Sequence, residues 1–246
     1  MNIALLGYGK MGKSIESLAL AAGDAVVLKV DVGNAADWTD TDLKKADVAI
    51  EFSRPDSAVG NILRCFNAGV PVVVGTTGWL EQLPFVKEEL KRKDGTLLHA
   101  SNFSIGVNLF FELNKHLARL MARYPEYRQV FVHETHHVHK LDAPSGTAIS
   151  IASQIVERNE RFSDWTSVAY ENRSAADFDS GSLPVYHTRA DEVPGTHNVT
   201  YASPTDVIEI RHIANNRDGF ARGALSAARW LCGKKGYFTM EDYLEL

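Results

Sequence analysis

The stretch from Asn2 to Ala22 restricts the fold more than any other part of the chain. An apolar run, Asn2 to Leu6, meets Gly7-Tyr8-Gly9-Lys10-Met11-Gly12, and an amphipathic segment follows. Strand, glycine-rich turn and helix in that order begin a parallel α/β sheet. The G-x-G-x-x-G spacing allows a tight turn, close approach of a pyrophosphate, and close packing of helix on strand. A second apolar strand, Ala25 to Val30, ends in Asp31, where a carboxylate can accept hydrogen bonds from an adenosine ribose. A glycine turn followed by an exposed acid also occurs without any ligand. The strand before and the helix after favour a dinucleotide site, with Gly7, Gly9, Lys10, Met11, Gly12 and Asp31 as its residues. Asp31 would repel a 2′-phosphate and Lys10 would attract one, so NADH and NADPH both stay open as the cofactor.

The α/β rhythm continues to about residue 102. Strands are expected over Ala46 to Phe52, Pro71 to Val74 and Thr96 to Ala100, with helices over Ser57 to Ala68 and Pro84 to Lys93. In an open parallel sheet, ligands lie beyond the carboxyl ends of the strands. Glu51-Phe52-Ser53, Gly75-Thr76-Thr77-Gly78 and Ala100 to Phe103 fall at such ends. Gly-Thr-Thr-Gly is often no more than a turn. At this place its small residues suit the nicotinamide end of the cofactor.

From Ile105 the pattern changes. Val107 to Arg123 reads as a long helix, and Gln129 to His137 alternates as a strand with Val130, Val132, Glu134 and His136 on one face. Residues 159 to 181 are polar without clear periodicity and read as loop. Leu183 to Arg189, Thr196 to Ala202 and Asp206 to Ile213 read as strands of a mixed sheet, and Asp218 to Leu231 as a helix. The fold class is therefore α/β: an N-terminal Rossmann-type dinucleotide-binding domain and a second α+β domain on a mixed sheet. The first is expected to span 1–106 plus 217–246, the second 107–216. A sheet open on one apolar face suits subunit association.

The densest chemistry lies in Glu134-Thr135-His136-His137-Val138-His139-Lys140-Leu141-Asp142-Ala143-Pro144-Ser145-Gly146-Thr147-Ala148. It reads as strand, loop and helix start. Ser145, Gly146 and Thr147 sit where unpaired amides and the helix dipole favour an anion. A Ser-x-Thr helix start is usually only a cap, and a polar turn can be merely solvated. Together, a proton donor and an anion cradle a few residues apart suit a carboxylated substrate that must receive a proton. Paired histidines also suggest a metal. However, neighbours on a strand point to opposite faces, and no cysteine completes a ligand spacing, so no metal is expected.

Composition narrows the classes. The chain has 246 residues and a net charge of −5, with no basic stripe, which argues against a nucleic-acid partner. Its two cysteines form no metal or redox motif, and no apolar run is long enough to cross a membrane. The expectation is a cytoplasmic protein with no membrane association.

The fifteen-residue string resembles the signature of the 4-hydroxy-tetrahydrodipicolinate reductase (dihydrodipicolinate reductase) family. Gly7 to Gly12, Gly75 to Gly78, Ser101-Asn102-Phe103-Ser104-Ile105-Gly106-Val107-Asn108 and Phe238-Thr239-Met240-Glu241-Asp242 extend the resemblance from end to end. It implies reduction of a cyclic dicarboxylate, 4-hydroxy-tetrahydrodipicolinate, at C4 with loss of water, in diaminopimelate and lysine biosynthesis. It further implies His136 as active-site histidine and Lys140 as general acid, with His137, Lys140, Gly146, Thr147 and Arg217 on the substrate. Phe52, Gly75, Thr77, Ala100 and Phe103 would line the nicotinamide side, and the assembly would be a homotetramer joined through the second domain. Glu51-Phe52-Ser53 departs from the family's usual Asp-Phe-Thr, and Gly195-Thr196-His197 from Gly-Glu-His. Two other readings share the glycine loop. One is a different two-domain NAD(P) dehydrogenase, of aspartate or homoserine type, which the Asp-Ala-Pro-Ser-Gly-Thr string opposes. The other is a non-catalytic NAD(P) sensor, which the His-His-x-His-Lys string opposes.

Overall fold

The computed structural model describes residues 1–34, 37–216 and 218–246. The chain opens with β1 (Asn2–Leu6), α1 (Lys10–Ala21), β2 (Ala25–Val30), α2 (Asp40–Leu43), β3 (Val48–Glu51), α3 (Pro55–Ala68), β4 (Val72–Val74), α4 (Leu83–Arg92) and β5 (Thr96–His99). It continues through α5 (Ile105–Met121), β6 (Gln129–His136), α6 (Gly146–Val156), β7 (Asp164–Ala169), β8 (Ser182–Arg189), β9 (Thr196–Ala202) and β10 (Val207–Ile213). It ends with α7 (Asp218–Leu231), β11 (Gly236–Phe238) and α8 (Met240–Leu244). These elements form two compact units, Met1–Asn108 with Asp218–Leu246, and Leu109–Arg217.

In the first unit the described residues form a parallel sheet in the order β11-β5-β4-β3-β1-β2. The strands β3, β4 and β5 are buried along their whole length, because helices cover both faces. Alternate side chains serve the two layers. Ala4, Leu6 and Ala49 pack with Ile62 and Phe66 of α3 and Val86 of α4. Ile3, Leu5 and Ile50 pack with Ile15 of α1 and Ala224 and Leu231 of α7. The chain leaves β1 toward β2 on one side and reaches β3 on the other, so the carboxyl ends of β1 and β3 diverge. That divergence is where doubly wound sheets hold ligands.

The second unit carries a mixed sheet, β10-β9-β6-β8-β7. Here β6 pairs antiparallel with β9 and parallel with β8. The face bearing Val130, Val132, Glu134 and His136 is the buried one, as the alternation predicts. Val130, Val132 and Val185 pack against Ala118 of α5 and Ile151 and Ile155 of α6. Asn114, fully buried, ties the two helices by donating to the Ile151 carbonyl at 3.1 Å and to Gln154 Oε1 at 2.9 Å.

One reading of the sequence needs correction. Residues 159–181 are not all loop, since they hold β7 and two short 3-10 turns. β7 is an edge strand with no fully buried position, so no core face imposed the alternation that would reveal it. β11, only three residues long, also has no sequence signature; it is recognised by its parallel pairing with β5.

Candidate active site

In the first unit the glycine loop follows from packing. Gly7 has φ +105°, and a Cβ there would lie 2.0 Å from the Phe52 carbonyl oxygen. A Cβ on Gly9 would meet nothing within 4 Å. One glycine is therefore demanded by the protein, while the other leaves room for a ligand to approach the backbone. Gly12 lies buried on α1, against the Gly7 carbonyl.

Two recesses open beyond the strand ends. The first, about 240 Å³, is bordered by Gly7, Gly9, Asp31, Trp38, Phe52 and Arg54. The second, about 360 Å³, is bordered by Lys10, Met11, Phe52, Gly75 and Thr77. Phe52 belongs to both, because the glycine at position 75 lets its ring pack where a side chain would otherwise stand. An elongated ligand with an adenosine half and a nicotinamide half fits this pair of recesses. Asp31 and Lys10 fall in different recesses. Ala100 and Phe103 border neither; Phe103 is buried in the core with its ring 5.7 Å from that of Phe52. Trp38 and Arg54 were not anticipated, since a tryptophan and an arginine in polar loops carry no periodic signal.

In the second unit β6 delivers Glu134 and His136 to the sheet's inner face. β6 ends at His136, and the loop that follows is anchored by Lys140 N–H donating to the His137 carbonyl at 3.1 Å. The Ala143–Pro144 bond within it is cis. Ser145 caps α6, its hydroxyl accepting from the Ala148 amide at 3.2 Å. The amides of Gly146 and Thr147 precede the first intrahelical hydrogen bond and are available to an anion.

A buried cluster missed in the sequence lies behind this loop. Glu134 is fully buried and accepts from the Ser145 amide at 3.1 Å and from Arg189 Nη2 at 3.1 Å. Arg189 also donates to the carbonyls of Lys140, at 3.3 Å, and Asp142, at 2.6 Å. It thus binds the loop from β8. His136 Nδ1 lies 3.3 Å from Glu134 Oε2, and His197 Nε2 lies 3.8 Å from the same oxygen. These residues come together because β6 lies between β8 and β9: His136 is paired with Arg189, and Glu134 with His197. Nothing short of the sheet order reveals that. Lys140 Nζ is held by both carboxylate oxygens of Asp142, at 2.7 and 2.8 Å. His139 instead stands exposed beside Glu192, and the proposed substrate ligand Arg217 lies outside the described residues.

Glu134, His136 and His197 could offer three metal ligand atoms within 4.8 Å of one another. The carboxylate's charge is already met by Arg189 and its lone pairs by Ser145, which suits an internal ion pair better than a divalent cation.

The cluster carries a pH dependence. Burial alone would raise the Glu134 carboxyl, but the nearby His136 ring and the hydrogen bonds from Ser145 outweigh it and bring it down to about 2. Burial holds His197 neutral, down to about 3. In both cases the unfolded chain takes up a proton that the fold refuses. Stability from His197 is thus complete above its ordinary 6.5 and falls as pH drops toward 3. That from Glu134 falls between its ordinary 4.5 and about 2. The combined loss is expected to be on the order of a few kcal/mol. The thermal midpoint of the second unit should fall between pH 7 and pH 4 and fall less in His197→Asn. A flat profile over that range would contradict the assignment.

Comparison with known proteins bears on both units. Residues 1–103 match the family described as Dihydrodipicolinate reductase, N-terminus, and residues 106–244 match Dihydrodipicolinate reductase, C-terminus. A 4-hydroxy-tetrahydrodipicolinate reductase of Christiangramia forsetii is 46% identical over 99% of this chain and 98% of its own length. One from Neisseria meningitidis serogroup B is 34% identical over 94% of this chain and 84% of its own. Among solved structures, a dipicolinate-bound dihydrodipicolinate reductase from Paenisporosarcina sp. TG-14 shares the fold, with a TM-score of 0.75 at 22% identity over 99% of both chains.

Proposed function

This chain belongs to the dihydrodipicolinate reductase family, and from that premise we propose how its residues divide the work. The chain is an NAD(P)H-dependent oxidoreductase that reduces 4-hydroxy-tetrahydrodipicolinate to tetrahydrodipicolinate, releasing water, in diaminopimelate and lysine biosynthesis. The bound nicotinamide supplies the hydride that ring C4 receives.

Gly7, Gly9, Lys10, Met11, Gly12 and Asp31 hold the adenosine and pyrophosphate. Phe52, Gly75 and Thr77 line the nicotinamide side, with Ala100 and Phe103 supporting it from behind. The Gly146 and Thr147 amides take one substrate carboxylate, and His137 and Lys140 take the other, with Arg217 assisting. Hydride addition builds negative charge on the ring, and Lys140 supplies the proton that quenches it, with His136 assisting. The observation that carries this reading is the adjacency of an ammonium and a capped helix start on one loop fastened by Arg189. The test is oxidation of NADH or NADPH that requires a synthase making the unstable substrate in situ. No oxidation by protein shown to bind cofactor would defeat it.

Cofactor preference follows from the separation of Asp31 and Lys10. Asp31 borders the recess that also holds Trp38, while Lys10 borders the other. Arg54, a cation near Asp31, is paired with Asp56 at 2.8 Å. A 2′-phosphate would meet an acid whose charge Lys10 is not placed to offset. NADH is expected to exceed NADPH in kcat/KM by roughly 10-fold or more, and Asp31→Asn to narrow the ratio. Equal rates with both cofactors would remove Asp31 from this role.

The open face of the second sheet supports a homotetramer. Val207 and Ile213 of β10, which alternation places on that face, are exposed apolar side chains, which association would bury. Light scattering should give four times the chain mass; a monomer would exclude it. Among the described residues no helix is long and apolar enough to cross a membrane. We place the enzyme in the cytoplasm, acting on a small dicarboxylate without nucleic acid or membrane.

A further inference from the structure

His136 presents its two ring nitrogens to different neighbours. Nδ1 is buried and lies 3.3 Å from Glu134 Oε2, an oblique contact, and it has no hydrogen-bond partner elsewhere among the described residues. Nε2 faces Gly195, where a Cβ would come within 3.0 Å of it. Glu134 itself is held on several sides. Both its oxygens accept from the Ser145 amide, and Arg189 and His197 approach from the strands on either side. The carboxylate stays ionised because Arg189 and these donors favour its charge. An unprotonated Nδ1 would set a lone pair against that anion, whereas a protonated Nδ1 meets it favourably.

We propose that Glu134 is a positioning residue for His136, fixing its proton on Nδ1 and turning a bare Nε2 toward the glycine-lined side of the site. This rests on the reductase reading above and deepens it, because it separates two roles the sequence leaves merged. A neutral His136 in this tautomer accepts a hydrogen bond at Nε2 and has no proton there to give. Lys140 is then the donor, and His136 orients the donor or the substrate as an acceptor.

The test uses the full chain labelled with ¹⁵N in histidine, with His136 assigned by its loss in His136→Gln. In the wild type, with the imidazole neutral, the ¹⁵N shifts should report a proton on Nδ1. In Glu134→Gln the side-chain amide can donate to Nδ1, so the proton should move to Nε2. Turnover should then fall about 10²-fold in kcat, with little change in KM. Glu134→Asp, which keeps the charge, should retain the wild-type tautomer and recover part of the rate. A structural role through Arg189 alone would leave the tautomer unmoved in Glu134→Gln, and that outcome overturns the proposal. So does a wild-type His136 protonated on Nε2, a result that needs no variant to fold. The tautomer readouts require no substrate, so failure of the reductase reading would show separately as absent turnover with the tautomer still in place.

Discussion

Replacing Lys140 by alanine is expected to slow turnover by roughly 10²–10⁴-fold, the largest catalytic effect of any single truncation in the second unit. The backbone around Lys140 does not depend on its side chain. Its amide donates to His137 and its carbonyl accepts from Arg189, so the loop keeps its course when the ammonium is removed. The pair it loses, with Asp142, is partly exposed on the lysine side and largely so on the acid side, and such pairs add about 1 kcal/mol or less to stability. Melting behaviour should therefore stay near wild type while kcat falls. A loss confined to KM would move Lys140 from proton donor to carboxylate ligand.

Gly7→Ala should be as damaging in the first unit, by a different route. The added methyl would lie 2.0 Å from the Phe52 carbonyl oxygen, in a backbone conformation that side-chain-bearing residues rarely adopt. Relief requires the end of β1 to move away from the end of β3, which shifts Phe52 in both recesses at once. Strain of this kind costs on the order of a few kcal/mol, so NADH affinity should drop by about 10²-fold or the first unit should melt early. Fluorescence titration and calorimetry distinguish the two. Wild-type affinity with wild-type melting would show that the turn has more freedom than its packing implies.

The contrast between these two positions shows how far the sequence reaches. Gly7 was legible because strand, turn and helix are consecutive, so local pattern and tertiary role coincide. The Ser145 cap and the buried face of β6 were legible for the same reason. Glu134 was placed on the correct face, yet its partners Arg189 and His197 come from strands more than fifty residues away, and periodicity says nothing about which strands will be neighbours. His136 and His139, three apart in sequence, end one buried and the other in solvent. Phe103, expected at the ligand, has its ring in the core, because the loop after β5 packs closely under α7. β7 escaped notice because an edge strand needs no apolar face.

The attachment of Arg189 to Glu134, Lys140 and Asp142 has a consequence for how the molecule comes into being. The loop bearing the ammonium is fastened by a residue made some fifty positions later, across the parallel pairing of β6 and β8. Parallel pairings of such separation are slow to close. On a ribosome or during refolding, the reactive loop stays unheld until β8 has paired with β6. The onset of activity then waits on that pairing, and a half-folded second unit is silent.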